Sequence, residues 1–280
     1  MNSKAMLALA LIAVAITASN CDKSDRPREG VVSLSPVVTE ILFELGAGDR
    51  IVANTRLCNY PEDARGKTKV GDFLNVNEEA IISLRPKMVI DTTSKAHRAL
   101  WKRLSDAGIE VVHCPIETVD EVAAAYEKIG RAVGLEEKGR ELSQRFLSDL
   151  NNLKAKCANV SQRKRVIFFI EYPNLTAVGK GTFIDDFISA VGGENVVAQS
   201  GWVMNFPIEK LVELKPDVII QAIDGDKLSD EIITEIEGFF KFANVPVFVI
   251  DADETTRPGP RIVKGWAGMA RILHPELFEN

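Results

Sequence analysis

The chain has few of the residues that build catalytic or metal centres, with 3 histidines and 4 cysteines among 280 residues. The histidines, His97, His113 and His274, are scattered singly, and the patterns CxxC, HxH and HExxH do not occur. Zinc and redox sites depend on such clustered ligands, so neither kind of site is expected. The patterns GxSxG and GxxxxGK[ST] are also missing, and the sequence therefore offers no catalytic residue to assign.

Positive charge is in deficit, because 34 Lys and Arg residues face 40 Asp and Glu residues and leave a net charge of −6. An acidic surface does not attract nucleic acid or anionic lipid, so neither is an expected partner. Low-complexity tracts and Gly/Ser-rich linkers are missing as well. With 46% hydrophobic and 26% charged residues, the composition is that of a globular protein with a substantial core.

The longest hydrophobic run lies at the N-terminus, and it is short. Lys4 is followed by an apolar stretch from Ala5 to Ile16 and then by small or polar residues up to Cys21. A bilayer requires roughly 20 apolar residues, so this run is typical of a secretory signal rather than a membrane span. The residues that end at Cys21 resemble a bacterial lipobox, with ordinary signal-peptidase cleavage as the alternative. We expect a signal peptide over 1–20, lipidation of Cys21, and an exposed tether over 21–29.

Export predicts a location in the periplasm or on the outer face of the cytoplasmic membrane, where disulfides can form. Three cysteines remain beyond the leader, and three cannot all pair within one chain. The sequence does not say which of them pair. The three are Cys58, Cys114 and Cys157. Most of them are expected to be buried free thiols.

One stretch of the sequence occurs twice. GDFLNVNEEAIISLRPKMVI begins at Gly71 and GWVMNFPIEKLVELKPDVII begins at Gly201, an offset of 201 − 71 = 130 residues. Without any gap, a Gly, an Asn, a Glu, a Leu and a Pro recur at the same places, and apolar positions match apolar positions. Similar segments near Gly46 and Gly192 extend the repeat. The chain is therefore predicted to form two similar lobes.

Short β-branched runs alternate with amphipathic segments of helical spacing in both halves, which predicts an α/β fold with mainly parallel sheets. Between the halves, the segment from Glu136 to Asn159 carries an apolar stripe at spacings of three and four residues. Its roughly 22 residues correspond to a rigid helix about 33 Å long. The predicted domains are an N-terminal lobe over 30–135, a linking helix over 136–160 and a C-terminal lobe over 161–280.

The order of these elements and several motifs resemble a known family. The motifs LSPVVTEILFELGAGDRIVA, CNYPEDA and ISLRPKMVI resemble the helical-backbone class of substrate-binding proteins of ABC importers, which serves cobalamin, haem and iron–siderophore uptake. The tail RPGPRIVKGWAGMARILHPELF is most similar to the cobalamin-binding branch. The resemblance implies a ligand cleft between the lobes and a dimeric ABC permease as partner. A monomer without enzymatic activity or resident cofactor is expected.

Each copy of the repeat places a glutamate, Glu79 or Glu209, in the first turn of a predicted helix. A carboxylate there stabilises the helix macrodipole in any protein. A two-lobed protein that sits across a twofold partner also needs one equivalent contact in each lobe, and an exposed carboxylate suits an arginine. In the family the matching glutamates dock to arginines of the permease, and the resemblance implies that role here.

Ligand contacts are expected from loops at the carboxyl ends of the strands. Aromatic side chains in such loops can cover a flat macrocycle, and the alternative for each is packing at the edge of the core. The candidates are Tyr60, Phe73, Tyr172 and Trp202. By resemblance, Asp253 and Arg257 of the loop after the last strand face the ligand, where they suit the amides and phosphate of cobalamin. Their alternative is an ion pair that only fixes the loop.

The expected ligand is cobalamin or another corrinoid. Haem is an alternative, for which Tyr60 or Tyr172 could supply an axial ligand, and a ferric siderophore is a second, which would favour a more basic cleft. One position departs from the family, because Leu175-Thr176 stands where an aromatic is usual. An exported tetrapyrrole- or metal-processing enzyme on a similar scaffold is a further alternative, opposed by the lack of a marked acid–base pair.

Overall fold

The computed structural model describes residues 29–72, 75–92 and 96–279. The predicted signal peptide, Cys21 and Phe73 lie outside the described residues, as does the tether apart from Glu29. Across the described ranges, the helices lack the combination of length and apolar character that a bilayer crossing requires.

The first lobe contains a parallel sheet with helices on both faces. Its strands lie in the order β3-β2-β1-β4-β5, and Val31 of the central strand pairs with Ile51 on one side and Met88 on the other. Burial on both faces explains why the central strands are continuous apolar runs. The elements are β1 (Val31–Ser33), α1 (Pro36–Glu44), β2 (Ile51–Asn54), α2 (Glu62–Arg65), β3 (Thr68–Lys69), α3 (Glu78–Leu84), β4 (Met88–Asp91), α4 (Arg98–Asp106), β5 (Glu110–His113) and α5 (Val119–Ala132).

The second lobe follows α6 (Glu136–Cys157) and contains a mixed sheet. Its strands lie in the order β11-β10-β6-β7-β9, with β8 parallel to the start of β6. β6, β10 and β11 are parallel, whereas β7 runs antiparallel to both of its neighbours, β6 and β9. The elements are β6 (Lys164–Ile170), β7 (Thr176–Val178), α7 (Phe183–Ala190), β8 (Gly193–Asn195), β9 (Trp202–Val203), α8 (Lys210–Leu214), β10 (Val218–Ile223), α9 (Asp230–Phe240), β11 (Val247–Asp251), α10 (Ala252–Thr255) and α11 (Ile262–Leu273).

The linking helix α6 is one uninterrupted helix of 22 residues, as predicted. Its apolar stripe is buried along the whole length: Leu142, Phe146, Leu150, Leu153 and Cys157. It packs closely against α5, because a Cβ on Gly139 would lie 2.5 Å from the Tyr126 carbonyl oxygen. It also contacts α11 of the second lobe. One face of the helix is therefore buried against both lobes.

The cores of the two lobes are continuous. One hydrophobic cluster includes Ile90 of the first sheet, Phe146 and Leu150 of α6, and Phe168 of the second sheet. Within it the rings of Phe187 and Trp266 stack at 4.4 Å. Smaller clusters cover the opposite faces of the sheets. The lobes are consequently held in a fixed relation by shared packing, with little freedom for a hinge motion.

The sequence repeat corresponds to a structural repeat. Each copy contains a short helix, α3 or α8, which ends at a basic residue in the left-handed conformation, Arg85 at φ 50° and Lys215 at φ 46°. Gly71 opens the first copy at φ 117°, and a Cβ there would lie 2.1 Å from the Asn75 carbonyl oxygen. The two copies therefore present helices of the same kind at the same place in each lobe.

Candidate functional site

The carboxyl ends of the parallel strands face each other between the lobes, which is where an α/β fold binds ligands. On the second-lobe side, a cavity of about 450 Å³ lies at the ends of β6, β10 and β11. This volume is within the range of small-molecule sites. The lining includes Glu171, Tyr172, Asn174, Asp224, Lys227 and Thr256.

Polar contacts join the first lobe to the second across this cleft. Asn59, in the loop after β2, donates from Nδ2 to Asp253 Oδ2 at 2.8 Å. Nearer the surface, Arg65 Nη2 donates to Asp226 Oδ1 at 2.6 Å, and this contact lowers the pKa of Asp226. The loops of both lobes therefore meet directly, and a ligand held by both must contact or displace these side chains.

Asp253 and Arg257 form an ion pair, with Oδ1 and Nη2 2.7 Å apart. The Asp253 side chain is 4% exposed and that of Arg257 is 31% exposed. Hydrogen-bonding capacity remains unused in this group, because Asn59 Oδ1 and Arg257 Nη1 are buried and make no hydrogen bond with the described residues. Buried polar atoms in native proteins are normally satisfied, so these atoms mark a place suited to a polar group of a ligand.

Tyr60 and Arg261 meet at the junction of the lobes. The Arg261 guanidinium lies 4.4 Å from the centre of the Tyr60 ring, and that ring remains half-exposed. The same guanidinium donates to both carboxylate oxygens of Glu40 in α1, at 2.8 and 3.1 Å. Burial raises the pKa of Glu40, although Arg261 counteracts the shift. The Arg261 side chain of the second lobe thus contacts both Tyr60 and Glu40 of the first lobe.

Tyr172 lines the cavity, and its hydroxyl donates to Glu235 Oε1 of α9 at 3.0 Å. Its ring packs edge-on against Phe239 at 5.5 Å. Partial burial and the Glu235 carboxylate raise the pKa of the Tyr172 phenol. A raised pKa disfavours the phenolate form of Tyr172, which is the form that binds a metal.

Trp202 lies apart from the other predicted ligand residues. It belongs to the edge strand β9, its side chain is 47% exposed, and it is not among the residues that line the cavity. Of the predicted residues the structure describes, Tyr172 lines the cavity and Asp253 pairs with Arg257. Tyr60 lies against Arg261, and Trp202 is on the surface. Phe73 lies outside the described residues, and its ligand role stays a prediction.

A buried cluster at the carboxyl end of β4 was not predicted. Asp91 Oδ2 lies 2.7 Å from His97 Nδ1 and accepts a hydrogen bond of 2.7 Å from Trp101 Nε1, while Trp101 packs on His113 at 4.3 Å. His97 and His113 are single in the sequence, where their spacing gives no sign of a shared site. They are brought together by the fold, and within the described residues no group of three metal-ligating side chains is placed to hold an ion.

The two repeat glutamates lie at the starts of corresponding helices but differ in position. Glu79 lies in the first turn of α3, where Asn77 Oδ1 accepts from the Ala80 amide at 2.9 Å. Glu209 immediately precedes α8 instead of lying in its first turn as predicted, and α8 has no side-chain cap. Both carboxylates are exposed, and neither has an ion-pair partner among the described residues. By contrast, the adjacent Glu78 pairs with Arg103 at 2.6 Å. Glu79 and Glu209 are therefore available to a partner.

Two lobes, one shared helix and side-chain contacts between the lobes beside a cavity define a two-lobed binding protein. The model of the periplasmic binding protein family matches residues 31–205. The chain is 34% identical to the uncharacterized ABC transporter substrate-binding lipoprotein YvrC of Bacillus subtilis, over 89% of this chain and 81% of that protein. It is 27% identical to the vitamin B12-binding protein of Vibrio parahaemolyticus, over 87% of this chain and 88% of that protein.

Among solved structures, the periplasmic heme-binding protein RhuT of Roseiflexus sp. RS-1 in apo form superposes with a TM-score of 0.75. The two chains are 20% identical, and the superposition covers 90% of this chain and 100% of RhuT. The chain belongs to the periplasmic binding protein family, in the helical-backbone class of substrate-binding proteins of ABC importers. The fold and family predicted from the sequence are thereby confirmed.

Proposed function

We propose that this protein captures cobalamin or a related corrinoid outside the cytoplasm and delivers it to an ABC permease. The observation that carries the proposal is the polar group of Asn59, Asp253 and Arg257, whose buried atoms retain hydrogen-bonding capacity at the lobe junction. A corrinoid offers amides and a phosphate at its rim, which suit an acceptor and a cation. Tyr60 and Tyr172 supply aromatic surface for the macrocycle.

Haem is the second candidate, since the fold is shared with a haem-binding protein. Of the two tyrosines that could serve as axial ligand, Tyr172 is tied to Glu235 and has a raised pKa, which disfavours the phenolate. Tyr60 is half-exposed and retains its hydroxyl for such a role. The corrinoid is favoured because it needs no axial side chain from the protein, and the ligand is cargo rather than a resident cofactor.

Delivery requires a permease contact and a location near the membrane. Glu79 and Glu209 are proposed to dock to arginines of a permease dimer, one in each lobe, because both are exposed and lack an ion pair with described residues. Lipidation of Cys21 would keep the protein at the outer face of the membrane. The protein is proposed to act there as a monomer. The B. subtilis relative is itself named a lipoprotein.

A titration panel tests the ligand. Purified protein without the leader is titrated with cobalamin, cobinamide, haemin and a ferric siderophore, and binding is followed by tryptophan fluorescence and visible absorbance. Saturable binding of a corrinoid with recovery of the unchanged ligand is expected, which also excludes an enzyme that alters it. Saturable binding of haemin without any corrinoid would transfer the assignment to the second candidate.

A further inference from the structure

The repeat helices expose an aliphatic residue that folding does not need. In α3 and α8 the core contact is made by Ile81 and Leu211, which are 0% and 2% exposed. The next residues, Ile82 and Val212, are again related by the offset of 130, since 212 − 82 = 130. These residues are 38% and 66% exposed. Single exposed aliphatic residues are common on protein surfaces, but here an aliphatic residue is exposed at the same position in both copies of the repeat.

Each aliphatic residue lies beside a docking carboxylate. Ile82 follows Glu79 by three positions and Val212 follows Glu209 by three, a spacing that places two side chains on the same side of a helical turn. The turn in the second lobe is formed, because the Val212 amide donates to the Glu209 carbonyl oxygen at 3.2 Å. We call each pair a handle: Glu79 with Ile82 in the first lobe and Glu209 with Val212 in the second.

Two exposed ion pairs alone give weak association, because water and salt screen charges at a surface. An aliphatic side chain that packs against the partner next to the carboxylate excludes water from the ion pair. The ion pair is then stronger, because charges attract more strongly where water is excluded. Neutral contacts around interface hot spots exclude water in the same way. The presence of both handles, one for each lobe, matches a partner that offers the same site twice. A dimeric permease with one basic residue and one apolar contact in each subunit fits that requirement.

We propose that Ile82 and Val212 belong to the permease-docking surface and shield the ion pairs of Glu79 and Glu209 from water. This inference rests on the proposed function, since it assumes an importer as partner. The greater exposure of Val212 assigns it the larger share of the contact. The handles lie on surface helices and take no part in the polar group that is proposed to hold the ligand.

The test uses the protein without its leader and the ABC permease of the same organism in lipid nanodiscs. Docking affinity is measured for the wild type, Ile82→Ser, Val212→Ser and the double variant, with Phe242→Ser as a matched control. Phe242 is 54% exposed and lies outside both copies of the repeat. Ligand affinity and the thermal unfolding midpoint of each variant establish that the fold and the cleft are unchanged.

We expect the double variant to dock at least about tenfold more weakly, with Val212→Ser accounting for more of the loss than Ile82→Ser. Docking of the double variant should also fall more steeply with salt, because its ion pairs are exposed to solvent. The effects of Glu209→Gln and Val212→Ser should be non-additive, since one residue acts through the other. Ligand affinity and the Phe242→Ser control should stay within about twofold of the wild type.

Unchanged docking affinity of the double variant would overturn the shielding role, and so would an equal loss of docking affinity in Phe242→Ser. The proposed function would still stand in either case, provided that the wild type binds ligand and docks to the permease. Failure of the wild type to dock while it still binds ligand would overturn both this inference and the delivery role. Loss of docking in Glu79→Gln and Glu209→Gln with no effect in the serine variants would reduce the docking surface to the carboxylates alone.

Discussion

An Arg261→Met substitution would leave Glu40 buried between the lobes without its cation. The Glu40 and Arg261 side chains are 8% and 12% exposed, and the guanidinium donates to both carboxylate oxygens. Breaking a buried pair by removing one partner typically costs about 3–5 kcal/mol, because the remaining charge is desolvated and uncompensated. Urea unfolding at pH 8 should show a loss of unfolding free energy in that range.

The loss should depend on pH. Burial already raises the pKa of Glu40 above 4.5 with Arg261 present, and removal of the cation raises it further. A carboxyl group with a higher pKa in the folded state binds more protons when folded, so its destabilising effect grows as pH rises from about 4.5 through the folded pKa. The gap between variant and wild type should therefore be smallest near the lower end of this window and largest at pH 8.

A double variant, Glu40→Leu with Arg261→Met, is the matched control. It removes both charges and should recover most of the lost stability, since replacing a buried ion pair by apolar side chains is often neutral. A double variant as unstable as Arg261→Met would show that the unpaired Glu40 charge is not the cause of the loss. An equal loss in Arg261→Met at pH 5 and pH 8 would show the same.

Further predictions concern packing, ligand binding and thiols. Gly139→Val should cost about 1–3 kcal/mol in urea unfolding, because its Cβ would lie 2.5 Å from the Tyr126 carbonyl oxygen, whereas Gly268→Ala in α11 meets nothing within 4 Å and should be neutral or stabilising. Asp253→Asn should weaken ligand binding about tenfold or more in the titration while leaving permease docking intact, and equal affinity would remove it from the site. Thiol titration should find little reaction in the native protein and complete reaction in denaturant, because the cysteines that the structure describes are buried and free: Cys58, Cys114 and Cys157.

The repeat, the α/β class and the linking helix could be predicted because their signals are local. The stripe of α6 is a periodicity within 22 residues, and the Asn77 cap lies beside the helix it begins. The free state of the cysteines that the structure describes was expected for most of them and is confirmed. Helix periodicity and helix caps can be recognised from neighbouring residues, without knowledge of the fold.

The contacts that form the cleft could not be predicted, because their partners are far apart in the chain. Glu40 and Arg261 are separated by 221 positions, and Asn59 and Asp253 by 194. Nothing in the helix pattern of α1 distinguishes Glu40 from an exposed acidic residue. The strands β7 and β9, which pair antiparallel with each other, could not be predicted either, since they contain only 3 and 2 residues and offer no periodicity.

The hydrophobic layer that runs from the first sheet through α6 to the second sheet has a consequence for how the chain can be divided. A cut on either side of α6 would strip Phe146 and Leu150 from one half and expose the apolar surface that they cover. Neither half would then be expected to stand alone as a soluble fragment, and the intact chain should melt in a single cooperative transition. The two similar lobes are therefore expected to fold and unfold as one unit.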